Sequence, residues 1–508
     1  MGGVALLAIL NSCTISGYEG ILTRVEVNVA RGFPHFEIVG LADTAVKESR
    51  ERVRAALGNT GFRMPDGRIT VNLAPASVPK HGPVLDLPIA LGILLASRQI
   101  PDSEILRSAM ICGELSLEGL VQPVRGVLSM ALTAQEQGLK QVVVPAANAD
   151  EAAVLEEIQV YGAETLTGLT KTGHTFTPWQ RGKSQEKAQT GNDFVDVKGQ
   201  HMLKRALEIA AAGGHNILMI GPPGSGKTML ANCLPSIMPP LTYNQALEVS
   251  RIYSVAGQLG DRGLIRQPPF RSPHHSASYA GIVGGGAVPR PGEVSLAHHG
   301  ILYLDEFPEF RREVIEVLRQ PMEAGEITIA RARASFRFPA RFLLVASANP
   351  CPCGYYGVEA AECRCSLSQI QRYRARFSGP ILDRMDIWID VPPVSYQQLR
   401  DKQETEPSSA VRYRVIQARE VQAQRFGAPG AVNSQMDPGA IENYCGLDRE
   451  SERLLAAAFN RLSFSARAYQ RLLKLSRTIA DLAGHEQIQF IDVSEALSFR
   501  NLHWERIE

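Results

Sequence analysis

The chain has 508 residues, more than one hydrophobic core serves, so about two to four domains are expected. Apolar residues make up 44% and charged residues 21%, a globular balance that excludes a disordered chain. The formal net charge of +1, from 53 basic and 52 acidic side chains, argues against a protein that coats nucleic acid by bulk charge.

Taken from the amino terminus, the start Met-Gly-Gly-Val carries no basic leader region, and the longest apolar stretch, Leu87 to Ala96, is interrupted by Pro88 and Gly92. A membrane span needs roughly 18 apolar residues. A cytoplasmic protein with no membrane partner is therefore expected. Arg24 to Val29 and Arg68 to Leu73 alternate like strands, while Thr44 to Leu57 and Leu87 to Ser97 have helical character. Residues 1–170 thus predict a mixed α/β domain, in which Lys80 and His81 are expected as an exposed loop pair. Residues 171–192 are polar and turn-rich and are expected to be a linker. An α/β core over 193–395 and a helical region over 396–508 follow, with Ser465 capping a helix that runs to Gly484 and a capping box expected at Asp492 to Glu495.

The chemistry concentrates in the core. Gly221-Pro222-Pro223-Gly224-Ser225-Gly226-Lys227-Thr228 matches G-x-x-x-x-G-K-[ST] between the strand at Asn216 to Ile220 and a helix. Such a turn presents backbone N–H groups to phosphates, a lysine to the β/γ-phosphates and a hydroxyl to Mg²⁺. The apolar strand Gly300 to Leu304 ends in Asp305 and Glu306, at the edge where doubly wound sheets bind ligands. Asp305 is expected in the Mg²⁺ shell, and Glu306 as the group that orients or deprotonates the attacking water. A third strand, Phe342 to Ala346, leads to Asn349, a candidate γ-phosphate sensor or simply a turn residue before Pro350.

Cys351-x-Cys353 and Cys363-x-Cys365 offer four thiolates within fifteen residues, a donor set for structural Zn²⁺ with no open position. The alternative is a cluster of unligated thiols. The paired histidines His274/His275 and His298/His299 lack a ligand-spaced acidic or cysteine partner and are not expected to hold metal, and Gly284 to Gly286 is expected to be a mobile loop.

Charge is unevenly divided. Residues 1–170 carry 13 basic against 18 acidic groups, whereas 331–376 hold eight arginines against two acids. Aromatic residues are interleaved there, so phosphate contacts and base stacking are both available. The alternative is that Phe336 and Phe338 are core. Ile327 to Phe338 predicts two short strands with Arg331 and Arg333 near the tip.

The P-loop, Leu302-Tyr-Leu-Asp-Glu-Phe307, Ser347-Ala-Asn-Pro350, Gly379-Pro-Ile-Leu-Asp-Arg384 and Ser465-Ala-Arg467 together resemble the AAA+ ATPases of the magnesium chelatase and minichromosome maintenance branch. That resemblance implies that Arg384 is an arginine finger given to a neighbouring subunit, the alternative being a surface ion pair with Asp383 or Asp386, that Arg467 is the sensor 2 arginine of a helical lid, and that Arg331 and Arg333, on a hairpin before the sensor strand, contact DNA phosphates in the ring's channel. Phe33-Pro-His-Phe-Glu-Ile-Val-Gly-Leu41, Asn72-Leu-Ala-Pro-Ala, Lys198-Gly-Gln, Phe270 to Ser278, Arg290-Pro-Gly-Glu293 and Asn349 to Gly354 extend it to the ComM/YifB family. Membership implies ATP and Mg²⁺, a homohexameric ring, single-stranded and branched DNA, recombination proteins as partners, and branch migration in natural transformation. The alternative function is a MoxR or magnesium-chelatase-type ATPase that remodels a protein partner without moving DNA.

Residues 1–170 also resemble the Lon protease carboxy-terminal domain, through Lys80-His-Gly-Pro-Val-Leu-Asp-Leu87 and Gly113 to Gly126. Val84 stands where that family has its nucleophilic serine and Leu128 where it has its lysine, so the resemblance implies an inactive, protease-like domain.

Overall fold

The computed structural model describes residues 6–170, 176–182, 192–286, 289–331, 334–358, 362–396, 398, 405–462 and 465–500. The amino-terminal unit is built on a mixed seven-stranded sheet of β1 (Leu6–Ser16), β2 (Glu19–Ala30), β3 (His35–Val39), β4 (Arg68–Ala74), β5 (Met110–Ile111), β8 (Gln141–Pro145) and β9 (Gln159–Ala163). Their order is β3-β4-β2-β1-β5-β8-β9. A small hairpin, β6 (Glu114–Leu115) with β7 (Val121–Gln122), lies outside the sheet. Helices α1 (Thr44–Asn59), α2 (Asp86–Ala96) and α3 (Val127–Glu136) complete the core, and α2 is buried on nearly every face, which is why its sequence is uniformly apolar.

Val84 and Leu128 both belong to that core. Lys80 is a correction to the exposed pair expected at 80–81: its side chain is fully buried with the amine donating to the Pro75 carbonyl, and His81 lies 3.2 Å from Asp43. A loop reading missed this because the segment is held by a distant one: Lys80 N donates to Leu41 O at 3.2 Å and Asp43 N to Lys80 O at 3.1 Å, whereas the amine's own acceptor is only five residues away. Part of the expected linker is also packed down. Trp179 N donates to Val160 O at 2.7 Å, its indole Nε1 donates to Asp150 at 2.8 Å, and Phe176 meets Tyr161 edge-on.

The second unit has a five-stranded parallel sheet, ordered β11-β14-β17-β10-β18, of β10 (Ile217–Ile220), β11 (Phe270–Arg271), β14 (Ile301–Leu304), β17 (Leu343–Ala348) and β18 (Ile387–Asp390). Helices α4 (His201–Gly213), α5 (Lys227–Ile237) and α6 (Tyr243–Ala256) pack beside it. Gly284–Gly285 is not the mobile loop expected; it forms β12 and pairs antiparallel with β13 (Arg290–Pro291). Between β14 and β17 stands an antiparallel hairpin, β15 (Glu326–Arg331) with β16 (Ala334–Pro339), in the register Arg331↔Ala334. Phe338 is fully buried and Phe336 partly so, while Arg337 on the opposite face is exposed, as a period of two requires.

A helical region closes the chain: α7 (Leu367–Arg374) precedes β18, and α8 (Ser408–Phe426), α9 (Arg449–Leu462), α10 (Ala466–Ala483) and α11 (Phe490–Ser498) follow it. Ser465 caps α10 by accepting from Ala468 N, and the chain leaves it through Gly484. The capping box of α11 is Gln489 with Asp492, three residues earlier than expected, and Glu495 instead pairs with Arg205 at 2.8 Å. The two units meet at α6. Arg251 stacks on Tyr18 and donates to its carbonyl at 3.1 Å, and the Tyr18 ring in turn reaches Phe338 of the β15–β16 hairpin. Among the described residues no helix is long and apolar enough to cross a membrane.

Candidate functional site

Strands β10, β14 and β17 are neighbours and parallel, so the turns at their carboxyl ends converge. A cavity of about 340 Å³ lies there, lined by Pro223 to Thr228 from the first turn, Asp305 and Glu306 from the second, and Asn349 after the third. Gly221 is required where the turn leaves the sheet, because a Cβ there would sit 2.3 Å from the Val391 carbonyl oxygen.

Lys227 opens α5 and bends back over its own loop, donating to the carbonyl oxygens of Gly221 at 2.7 Å and Pro222 at 2.8 Å. Burial pushes its amine down to about 8, against the opposing pull of the Asp305 and Glu306 carboxylates. Thr228 Oγ1 donates to Asp305 Oδ2 at 2.9 Å. Burial disfavours ionisation of Asp305, but hydrogen bonds from Ser347, Thr228 and Tyr303 outweigh it and hold the carboxyl below its ordinary range. Hydroxyl, carboxylate, lysine and backbone N–H groups are thus the hard oxygen and cationic donors that a Mg²⁺–triphosphate requires.

Glu306 differs from its neighbour. It occupies the left-handed region at φ 51°, and about half its side chain is exposed toward the cavity mouth. The only described ion-pair partner of its carboxylate is His275, whose Nδ1 is 3.4 Å from Oε2. Sequence reasoning found no chemistry for the 270–278 segment. Its placement beside β14 comes from the pairing of β11 with that strand and from Arg271, which holds Glu293 at 2.6 and 2.7 Å.

Arg384 and Arg467 are not at this cavity. They line a different one of about 740 Å³ between the sheet's other end and the helical region. Arg384 is buried, pairs with Glu323 and donates to the Pro380 carbonyl. Burial and the neighbouring Arg319, Arg467 and Arg471 lower its pKa. Arg331 ends β15 at the hairpin tip, but its side chain, like Arg333 as a whole, lies outside the described residues. Of the aromatics expected beside the arginines, Phe338, Tyr373 and Phe377 are buried core residues; Tyr355 is exposed.

The Sγ atoms of Cys351, Cys353, Cys363 and Cys365 all lie within 4.8 Å of one another. Cys351 is 3.3 Å from Cys353 and 3.7 Å from Cys363, and Cys353 is 3.6 Å from Cys363. Four sulfurs at about 2.3 Å from one tetrahedral Zn²⁺ would be about 3.8 Å apart. The described cysteine sulfurs therefore fit such an ion with little movement.

A second cluster corrects the expectation that the paired histidines lack an acidic partner. Glu248 on α6, fifty residues upstream, accepts contacts at 3.0 Å from His298 Nε2 and 2.9 Å from His299 Nε2. Arg341 N donates to His298 Nδ1 at 3.0 Å, which makes that nitrogen the acceptor and leaves the ring proton on Nε2. With no lone pair on the nitrogen facing Glu248, His298 is a hydrogen-bond donor there and not a metal ligand. Burial pushes His298 down to about 4, in keeping with a neutral ring.

Comparison with known proteins extends over the same units. The family described as "Magnesium chelatase, subunit ChlI" matches residues 193–399, "Subunit ChlI of Mg-chelatase" matches 25–148, and "Magnesium chelatase, subunit ChlI C-terminal" matches 405–500. Competence protein ComM of Haemophilus influenzae is 44% identical over 504 residues, 97% of each chain. The uncharacterized protein YifB of Escherichia coli is 41% identical over 497 residues, again 97% of each. Lon protease 2 of Bacillus subtilis is 30% identical over 169 residues, 30% of each chain. By these matches over nearly its whole length, the chain belongs to the ComM/YifB family of magnesium chelatase-related AAA+ ATPases, a family that uses ATP and Mg²⁺.

Proposed function

We propose that the chain is an ATP-driven, ring-forming DNA translocase that promotes branch migration, with Lys227, Thr228, Asp305, Glu306 and Asn349 acting on the nucleotide in its own cavity. When bound, ATP supplies the bond to be broken and Mg²⁺ offsets the phosphate charge. Lys227 would give up its two carbonyl partners for phosphate oxygens, Thr228 and Asp305 would be the residues that hold the metal, and Glu306 would orient the water and accept its proton. Arg384 serves a neighbouring protomer's nucleotide as an arginine finger, a role supported by its lying at a cavity remote from its own P-loop, and Arg467, which lines the same cavity, is the sensor 2 arginine of the helical lid. Cys351, Cys353, Cys363 and Cys365 hold structural Zn²⁺. The amino-terminal unit is a Lon-like scaffold without the catalytic dyad, since Val84 and Leu128 can neither attack nor carry a proton.

The observation that carries the DNA assignment is the β15–β16 hairpin, inserted before β17 with Arg331 at the end of β15 and Arg333 two residues on in sequence. The relative named Competence protein ComM supports a competence-related role. Replacing Arg331 and Arg333 together by Ala is expected to weaken single-stranded DNA binding and to flatten the salt dependence by roughly one unit of slope per lost phosphate contact. An unchanged slope contradicts the assignment, and an ATPase indifferent to any DNA favours a protein-remodelling role.

Lys227 adds a pH signature. Phosphate favours the charged amine, so nucleotide binding takes up a proton once the free amine has begun to lose its own, above about 8. Affinity for a fluorescent ADP analogue is expected to hold below that pH and to fall by up to about tenfold per unit above it. A flat profile between neutral pH and about 10 would count against that placement of the amine.

A further inference from the structure

The cysteine knuckle is in contact with the nucleotide cavity at both ends of one short segment. Asn349 lines the cavity, Cys351 and Cys353 follow, and Gly354 then packs on Pro223, a P-loop residue of the same cavity wall. The fit is close. Gly354 has φ +87°, and a Cβ there would sit 2.6 Å from Pro223 Cδ and 3.0 Å from Cγ. Gly354 N donates to Cys351 O at 3.0 Å, and Tyr356 N donates to Cys351 Sγ at 3.3 Å, so the backbone of this arm is folded around the sulfur. The return arm bearing Cys363 and Cys365 leads into α7, where the Arg374 guanidinium lies 5.3 Å from the Tyr356 ring centroid.

We propose that Zn²⁺ held by Cys351, Cys353, Cys363 and Cys365 sets the nucleotide affinity of the same chain, by fixing the 349–354 segment so that Gly354 buttresses Pro223. This rests on zinc being bound at all. The four residues are metal ligands, and Gly354 is a positioning residue with no part in the chemistry. Without the ion the four sulfurs take up protons as thiols and lose the common ligand that holds them together. Loss of the ion therefore loosens Cys353, whose immediate neighbour is the residue against the P-loop, and Cys351, two residues beyond Asn349.

Three measurements on the full chain test this. The first compares binding of a fluorescent ADP analogue to protein as purified, stripped by a chelator, and reloaded with Zn²⁺, with zinc content read by elemental analysis. Stripping is expected to weaken binding by about tenfold or more, and reloading to restore it. The second follows from reciprocity: saturating ADP must raise zinc affinity by the same factor. The third needs no metal removal, so it decides the matter even if the stripped protein unfolds. Gly354→Ala is expected to keep one zinc per chain and lose nucleotide affinity, and adding Pro223→Ala, which deletes Cγ and Cδ, to recover part of it. Stripped or Gly354→Ala protein that stays folded and binds the analogue within twofold of the wild type overturns the proposal. Wild-type protein that cannot be loaded with zinc defeats zinc binding itself, a result the metal content reveals separately.

Discussion

Glu306→Gln is expected to bind ATP as tightly as the wild type and to turn it over about 10²- to 10⁴-fold more slowly, the range a positioned general base contributes. Asp305 cannot stand in for it. The Asp305 oxygens are engaged by Thr228, by Ser347 and by the Glu306 amide, whereas Glu306 meets only the half-exposed His275 among the described ion pairs. The substitution keeps size and removes only the basic oxygen, so an unfolding artefact is not expected. Equilibrium binding of ATP and steady-state turnover, measured side by side, separate the two effects. A variant that hydrolyses ATP within a few-fold of the wild type would remove Glu306 from the chemistry.

Arg384→Ala is expected to cost about 10³- to 10⁵-fold in turnover, the range of an arginine finger, while leaving the nucleotide affinity of isolated protomers unchanged. The second half follows from geometry: Arg384 lines the 740 Å³ cavity with Arg467 and contributes nothing to the 340 Å³ cavity of its own P-loop. Its pairing with Glu323 holds one end of the guanidinium within the protomer, while Nε is buried without a hydrogen-bond partner among the described residues, and that pairing must yield when a neighbour's phosphates arrive. Mixing provides the sharper test. Arg384→Ala and Glu306→Gln subunits are each inactive alone, yet a mixed ring contains interfaces where an intact Arg384 faces an intact Glu306. Partial recovery of ATPase on mixing is expected; no recovery at any ratio argues that both groups act within one subunit.

What was legible in the sequence was chiefly local. The strand before Gly221, the helix from Lys227 and the hairpin ending at Arg331 are set by runs and turns within about a dozen residues, where periodicity and glycine placement carry the information. The α10 cap at Ser465 is equally local. Long-range partners were not legible. Glu248 meets His298 and His299 because α6 crosses the start of β14, and His275 reaches Glu306 because β11 joins the sheet beside β14. Lys80 looked exposed in a polar loop, yet its side chain is buried and its backbone pairs with Leu41 and Asp43. The displaced capping box shows a subtler limit: Gln489 competes with Asp492 for the cap, and the two spacings are equivalent in sequence until the preceding turn is placed. The aromatics between the arginines were ambiguous for a related reason. Alternation tells which residues share a strand face, as Phe336 and Phe338 do, but not which face meets the core.

The central claim is that ATP turnover at the Lys227–Glu306 site drives DNA movement. The most direct measurement follows a labelled four-way junction incubated with the full chain, with ATP, with a non-hydrolysable analogue, and with Glu306→Gln in place of the wild type. Conversion of the junction into duplex arms is predicted only for the wild type with ATP, accompanied by DNA-stimulated hydrolysis. Active hydrolysis by the wild type with no stimulation by DNA and no strand moved would contradict it.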